Sequence, residues 1–295
     1  MKIVLTGAGG FIGSALRRRL MDHDVVAVDS DLRGAPGVEG DLCEPETLAR
    51  AFSGGCDAVV HLATVPGGAA EADPALAKRV NLDATMALVD AAASAGTRPR
   101  FIFASSIAVL GDQLTSHVDD ASPLAPRMIY GAHKAMMEQW IATQTRRGAI
   151  SGLALRLPGI VARPRAPSGM KSAFMSDIFH AFAARKAIEL PVSQGATMWL
   201  MSVDRVAANL AHALAIEATG SLTLPALRVS MGDLVAAIAE ATGANQALAI
   251  YRPDPSLEAG FGRQPPLFTP AADALGFAHD NSLAALAASA FESLT

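Results

Sequence analysis

The sequence predicts an α/β fold, a doubly wound parallel sheet with a smaller C-terminal substrate lobe. Three observations predict it. Apolar strand-like runs alternate with helical stretches through the first half, as right-handed strand–helix–strand units do. Most of those runs are near-continuous Val, Ile, Leu, Phe or Ala, the pattern of strands covered on both faces. The first run ends in Gly7, Gly10 and Gly13, spaced G-x-x-G-x-x-G at the start of a helix.

The strands are expected at Lys2–Thr6, Asp24–Asp29, Asp57–His61, Arg100–Ser105 and Gly152–Leu157, with a short third strand before Gly40. Helices begin near Gly10, Pro45, Pro74 and Arg127. After Pro158 the loops grow richer in Pro and Gly, and helices at Ser172–Arg185, Val203–Ala215 and Met231–Ala241 are joined by short extended pieces. This divides the chain into a cofactor domain over 1–160 and a mainly substrate-binding lobe over 161–295, interleaved with the first. The last helix, near Ser282–Ser293, is alanine-rich and is expected to pack back on the body.

Bulk composition narrows the function classes. A hydrophobic content of 51% with 18% charged residues is enough for a sizeable core. The net charge of −4, with no basic stripe, argues against nucleic acid. Cys43 and Cys56 form no C-x-x-C pair, so neither a disulfide framework nor a metal site is expected. A strand from residue 2 leaves no room for a signal peptide, and no apolar run reaches the ~18 residues that span a bilayer. The expectation is a cytoplasmic protein.

The glycine loop names a ligand class. Helix N–H groups and the helix dipole at such a turn hold a pyrophosphate. Gly7 permits the turn, Gly10 lets backbone approach the phosphates, and Gly13 lets helix and strand pack closely. Asp29 ends the second strand, 22 residues after Gly7. A carboxylate there accepts both ribose hydroxyl hydrogens of an adenosine and repels a 2′-phosphate, which favours NAD over NADP. Asp31 adds to that repulsion; Arg33 argues weakly the other way. Asp41 and Leu42 follow the third strand, where Asp41 either reaches the adenine edge or caps the helix starting near Glu44. Leu62 and Ala63 end the fourth strand and let backbone lie against the cofactor, while His61 reads as a packed core histidine.

Tyr130 and Lys134 form Tyr-x-x-x-Lys, so one helical turn places both on the same face. An ammonium beside a phenol favours the phenolate, a general base suited to an alcohol. The fifth strand ends in Ser105-Ser106, whose hydroxyls can hydrogen-bond a reacting oxygen. They can equally bond their own backbone.

Together these residues resemble the extended short-chain dehydrogenase/reductase superfamily, whose sheet is of the Rossmann type. Thr6 to Gly13 (including Phe11 and Ile12), His61-Leu62-Ala63, Asn81, Ser105-Ser106 and Tyr130 to Lys134 all fit its pattern. The resemblance implies that Ser106, Tyr130 and Lys134 are catalytic and that Asn81 lies near the active site, the other reading of Asn81 being a buried amide bonded to backbone. A narrower resemblance, to the D-erythronate dehydrogenase family, rests on Gly96–Phe101, Leu155–Val161, Arg163-Pro164 and Trp199–Ser202. It implies NAD-dependent oxidation of a four-carbon sugar acid at its 2-hydroxyl, with Pro158 and Ile160 beside the nicotinamide. Gly67 stands where that family carries a serine, and Thr197 where it carries an arginine. Substrate contacts are then expected from Gly67, Ser105, Ser106 and Trp199, with Arg163, Arg165 and Lys171 offered to a carboxylate. The superfamily also pairs two helices into a homodimer; here Leu76, Val80, Leu88, Met136, Met137, Trp140 and Ile141 serve either that interface or the core. Two rival readings remain: a nucleotide-sugar epimerase or dehydratase with tightly held NAD, and a non-catalytic NAD-binding regulatory protein.

Overall fold

A computed structural model describes residues 1–165 and 172–294. Its strands are β1 (Lys2–Thr6), β2 (Asp24–Asp29), β3 (Val38–Glu39), β4 (Ala58–His61), β5 (Arg100–Ser106), β6 (Ser151–Leu157), β7 (Gly159–Val161), β8 (Ile188–Leu190), β9 (Thr197–Ser202), β10 (Gly220–Thr223), β11 (Leu227–Ser230) and β12 (Ala249–Tyr251). The described residues fall into two compact units, each threaded more than once by the chain.

The first unit comprises 1–111, 126–157 and 207–223. Its seven-stranded sheet runs β10-β6-β5-β4-β1-β2-β3, with every neighbouring pair parallel. The order reverses between β1 and β4, and ligands of such sheets bind beyond the carboxyl ends of the strands at that reversal. Ile3, Val4, Leu5, Val59, Val60, Phe101 and Ile102 have essentially no exposed surface, as the continuous apolar runs require. The helices are α1 (Phe11–Arg19), α2 (Pro45–Phe52), α3 (Gly67–Ala72), α4 (Pro74–Lys78), α5 (Ala84–Ala95) and α6 (Ile129–Arg146). Proline at the first position starts α2 and α4, and the Asp73 carboxylate caps α4 by accepting from Leu76 N at 2.9 Å.

Two departures from the sequence reading lie in this unit. The helix expected to run on from Pro74 is broken by a π turn at Arg79–Asp83, where an extra residue enters the helix. The sheet also gains β10 from Gly-Ser-Leu-Thr, too polar to announce a strand. That return is pinned by Arg100, which donates to Ala213 O at 3.1 and 3.0 Å, to Ala218 O at 2.6 Å and to Ser151 O at 3.3 Å. Residues 207–223, read from sequence as part of the second lobe, thus group with the first unit.

The second unit comprises 112–125, 158–206 and 224–294 among the described residues. It carries a β11-β9-β7 sheet, with β11 antiparallel and β7 parallel to β9, and a two-stranded β12-β8 sheet. The helices α7 (Phe174–Ala183), α8 (Val203–Ala215, whose last turns belong to the first unit), α9 (Met231–Thr242), α10 (Pro255–Phe261), α11 (Pro270–Ala274) and α12 (Leu283–Glu292) complete the chain. Its core joins Phe174, Ile178, Phe179 and Phe182 of α7 to Leu234 and Ile238 of α9 and Leu286 of α12. Among the described residues no helix is long and apolar enough to cross a membrane.

Candidate active site

The loop between β1 and α1 is built by steric exclusion. Gly7 has φ +71°, and a Cβ on it would lie 2.7 Å from Ala63 N and 2.9 Å from Leu62 C, backbone atoms of the loop after β4. A Cβ on Gly13 would collide with Gly7 O and lie 2.8 Å from Ala8 Cα. Gly10 differs: among the described residues beyond its own chain neighbours, only Gly7 O, at 3.2 Å, lies near its Cβ position. Gly10 is the N-cap of α1, no side chain caps that end, and the first turn holds no acid. The helix N-terminus is therefore free to receive an anion, and Phe11 and Ile12 form its half-buried first turn. Gly9, not singled out from sequence, matters as well. Its N–H donates to Asp29 Oδ2 at 2.9 Å, which joins the glycine loop to the end of β2. Asp29 Oδ1 accepts from Asp31 N at 3.2 Å. These are residues that fit a dinucleotide.

Asp41 accepts from Cys43 N at 2.9 Å, and that bond, with Arg79 at 3.7 Å, holds its carboxyl below the usual range. It closes the turn ahead of α2 and does not cap that helix, whose N-cap is Glu44 with no side-chain hydrogen bond; Leu42 beside it is buried. His61 is buried between two hydroxyls, Thr6 Oγ1 at 2.6 Å from Nδ1 and Thr85 Oγ1 at 2.9 Å from Nε2. It stacks on Phe103 at 5.8 Å, and burial pushes its pKa down to about 3. It is a neutral core residue. Asn81, in the π turn, accepts from Val65 N at 2.7 Å and Thr64 Oγ1 at 3.0 Å and donates to Val65 O at 3.0 Å. Both ends of its amide are spent fixing the loop after β4.

Helix α6 carries Tyr130 and Lys134. Its first residue, Ile129, donates its N–H to Glu71 on α3 at 2.7 Å. Gly67, which opens α3, also faces this helix start: a Cβ there would lie 3.1 Å from Met128 Cε. Lys134 is buried, its Nζ 4.5 Å from the Phe103 ring centroid and 5.6 Å from that of Tyr130. Burial pushes its pKa down to about 7, against the pull of Glu138. Ser106 ends β5 with its Oγ accepting from Ala108 N at 3.1 Å.

The Ser105 hydroxyl is turned into the core, toward α6. Side chains alternate along a strand, and the Ser105 hydroxyl is buried, donating to Glu138 Oε1 at 2.5 Å. Glu138 in turn takes a two-pronged ion pair from Arg156 on β6, Nε at 3.0 Å and Nη2 at 2.8 Å. Sequence reasoning missed this pair, yet a charge inside Leu153-Ala154-Leu155-Arg156-Leu157 was a signal, because a buried guanidinium demands a partner.

In the second unit, Trp199 is 1% exposed and its Nε1 donates to Pro265 O at 2.8 Å. Ile160 pairs with Met201 in the β7–β9 ladder, and Pro158 precedes it, both buried. The Arg163 carbonyl bonds His180 Nε2 at 2.8 Å, and Arg165 is exposed. Lys171 lies outside the described residues. At Thr197 the hydroxyl donates to Gln264 O at 2.8 Å and meets Arg228 Nη2 at 3.3 Å.

A Rossmann sheet with a glycine loop, a strand-end acid and a Tyr-x-x-x-Lys helix defines a class of nicotinamide-dependent enzymes. The chain belongs to the NAD dependent epimerase/dehydratase family, whose model matches residues 3–221, and it is an NAD-dependent oxidoreductase. It is similar to D-erythronate dehydrogenase from Cupriavidus necator, 34% identical over 267 residues and 82% of each chain. It is also similar to D-erythronate dehydrogenase from Haemophilus influenzae, 30% identical and covering 82% of this chain and 83% of that one. Among solved structures, the nucleoside-diphosphate-sugar epimerase from Agrobacterium tumefaciens superposes with a TM-score of 0.86 at 28% identity, over 97% of this chain and 92% of that one.

Proposed function

We propose that this protein oxidises the 2-hydroxyl of a small, D-erythronate-like sugar acid to the 2-keto acid. The observation that carries the reading is the buried Lys134 ammonium 5.6 Å from the Tyr130 ring on one face of α6, in a chain 30–34% identical to two D-erythronate dehydrogenases. Tyr130, as phenolate, takes the proton of the substrate hydroxyl. Ser106 hydrogen-bonds the same oxygen as it becomes a carbonyl. Lys134 keeps the phenolate accessible near neutral pH. The hydride of the carbinol carbon would leave to NAD, the acceptor that cofactor supplies when bound. Gly7, Gly10 and Gly13 with Phe11 and Ile12 hold its pyrophosphate, Asp29 its ribose and Leu62–Ala63 its flank; Pro158 and Ile160 are assigned to the nicotinamide. Gly67, Arg163 and Arg165 are assigned to the substrate, the two arginines to its carboxylate.

The protein works, in this reading, as a cytoplasmic homodimer. Leu76 and Met136 are 37% and 52% exposed, whereas Leu88, Met137 and Ile141 belong to the core. Light scattering tests the dimer.

Incubation of the pure protein with NAD and a panel of four-carbon sugar acids is expected to form NADH. Tyr130→Phe should bind NAD as before and lose at least ~10²-fold in kcat. Undiminished turnover by Tyr130→Phe, or retained NAD with no net NADH, overturns the proposal; the second outcome belongs to an epimerase.

A further inference from the structure

Tyr130, Lys134 and Glu138 recur every four residues and share a face of α6. The titratable and charged groups around Lys134 are Tyr130 and Glu138 on its own helix, His61 on β4, and Arg156 on β6 behind Glu138. His61 is neutral, so Glu138 is the negative charge of this set. It is 1% exposed, and its carboxylate is held by Arg156 and by the Ser105 hydroxyl. The register pairs Ser105 with Arg156 and Ser106 with Leu157. The three-way contact therefore also ties the tip of β5, which carries Ser106, to α6.

We propose that Glu138 is a positioning residue for the reaction proposed above: clamped by Arg156 and Ser105, its carboxylate is the fixed counter-charge that keeps Lys134 an ammonium beside Tyr130. The inference rests on the reading of Tyr130 as base. The chemistry follows from a shared proton. A Tyr–Lys pair that has lost one proton exists as phenolate with ammonium, or as phenol with amine, at the same total charge. Only the first form has a base at the tyrosine oxygen. Burial favours the second, which holds no separated charges. A negative charge one helical turn beyond the lysine favours the first. The site thus holds its charge where it is productive.

Three variants test this. Glu138→Gln removes the charge but strands a buried guanidinium. Glu138→Leu/Arg156→Met removes the ion pair at nearly constant volume, a change that is often neutral or stabilising. Ser105→Ala keeps the pair and removes one of the two hydrogen bonds to Glu138 Oε1. Nitrogen NMR of lysine-labelled protein without NAD reads the protonation midpoint of Lys134 directly. It is expected to fall by about one pH unit in Glu138→Gln, which leaves the Arg156 charge unpaired, by less in Glu138→Leu/Arg156→Met, which removes both charges, and least in Ser105→Ala. The alkaline-rising limb of kcat should move up by a similar amount, with NAD affinity within about threefold of the wild type. A purely structural brace lowers kcat or melting temperature and moves neither midpoint; unmoved midpoints in the variants that fold overturn the inference. If Tyr130→Phe turns over normally, the underlying reading fails instead, whatever the lysine midpoint does.

Discussion

Gly13→Ala and Gly10→Ala, three residues apart in one loop, are expected to fail differently. The added methyl at Gly13 points at Gly7 O and lies 2.8 Å from Ala8 Cα and 2.9 Å from Gly7 C. All three are backbone atoms that no rotamer change removes. Reaching ordinary contact requires α1 to retreat from the loop by more than about 0.5 Å. Overpacking of this kind costs about 1–3 kcal/mol, and alanine returns about 1 kcal/mol of helix propensity. A net loss of up to about 2 kcal/mol lowers the melting temperature by up to roughly 3 °C in a chain of this size. The same retreat moves the free N–H groups of α1, so NAD affinity drops too. Gly10 sits at φ −74° and ψ 176°, open to any residue, and an added Cβ would lie 3.2 Å from Gly7 O. Gly10→Ala should melt within about 0.5 kcal/mol of the parent yet bind NAD at least tenfold more weakly, about 1.4 kcal/mol. Thermal melts and calorimetric NAD titrations measure both quantities. A Gly13→Ala protein as stable and as tight as the parent, or a Gly10→Ala protein that loses stability and keeps its affinity, refutes the reasoning.

Burial of His61 and of Lys134 should each make stability rise with pH, in two separate windows. His61, pushed from 6.5 to about 3 by burial, favours folding fully above pH 6.5; its contribution falls by up to ~1.4 kcal/mol per pH unit between 6.5 and 3, a slope that His61→Gln should flatten in urea midpoints. Lys134, pushed from 10.5 to about 7, penalises folding fully below pH 7, and the penalty eases at up to ~1.4 kcal/mol per unit as pH rises from 7 to 10.5. Lys134→Met should remove that slope while abolishing turnover, and a slope that persists in the variant rules the assignment out. Asp29→Ala frees the Gly9 N–H and removes the strand-end charge, so the NAD dissociation constant should rise about tenfold and the preference over NADP shrink, read by titration with both cofactors.

Legibility followed the residue chemistry. Strands made of Ile3-Val4-Leu5 or Phe101-Ile102-Phe103 announce themselves because a strand covered on both faces has no polar option. Gly7 and Gly13 were legible because only glycine survives the backbone contacts they make. β10 was hidden because Gly-Ser-Leu-Thr carries no period. The short α3 was hidden because Gly67–Ala72 holds neither an apolar stripe nor a cap. Ser105 and Ser106 look equivalent in sequence, and strand alternation separates them. The burial of Trp199 and the bond from its N–H to Pro265 O are tertiary facts that no local pattern carries. Glu138 and Arg156 are far apart in sequence, so their pairing became visible only when the helix was laid on the sheet.

The late arrival of β10 constrains biosynthesis. While the ribosome is still making residues 158–219, the sheet ends at β6 with its edge groups unpaired, a template for association with another nascent chain. The Arg100 guanidinium meanwhile lacks Ala213 O and Ala218 O, two of the acceptors that satisfy it. A fragment stopped near residue 160 contains the glycine loop, Ser106, Tyr130 and Lys134, and is still an unfinished sheet. The seven-stranded sheet is therefore complete only once Thr223 is made, and the second unit needs residues 224–294 as well.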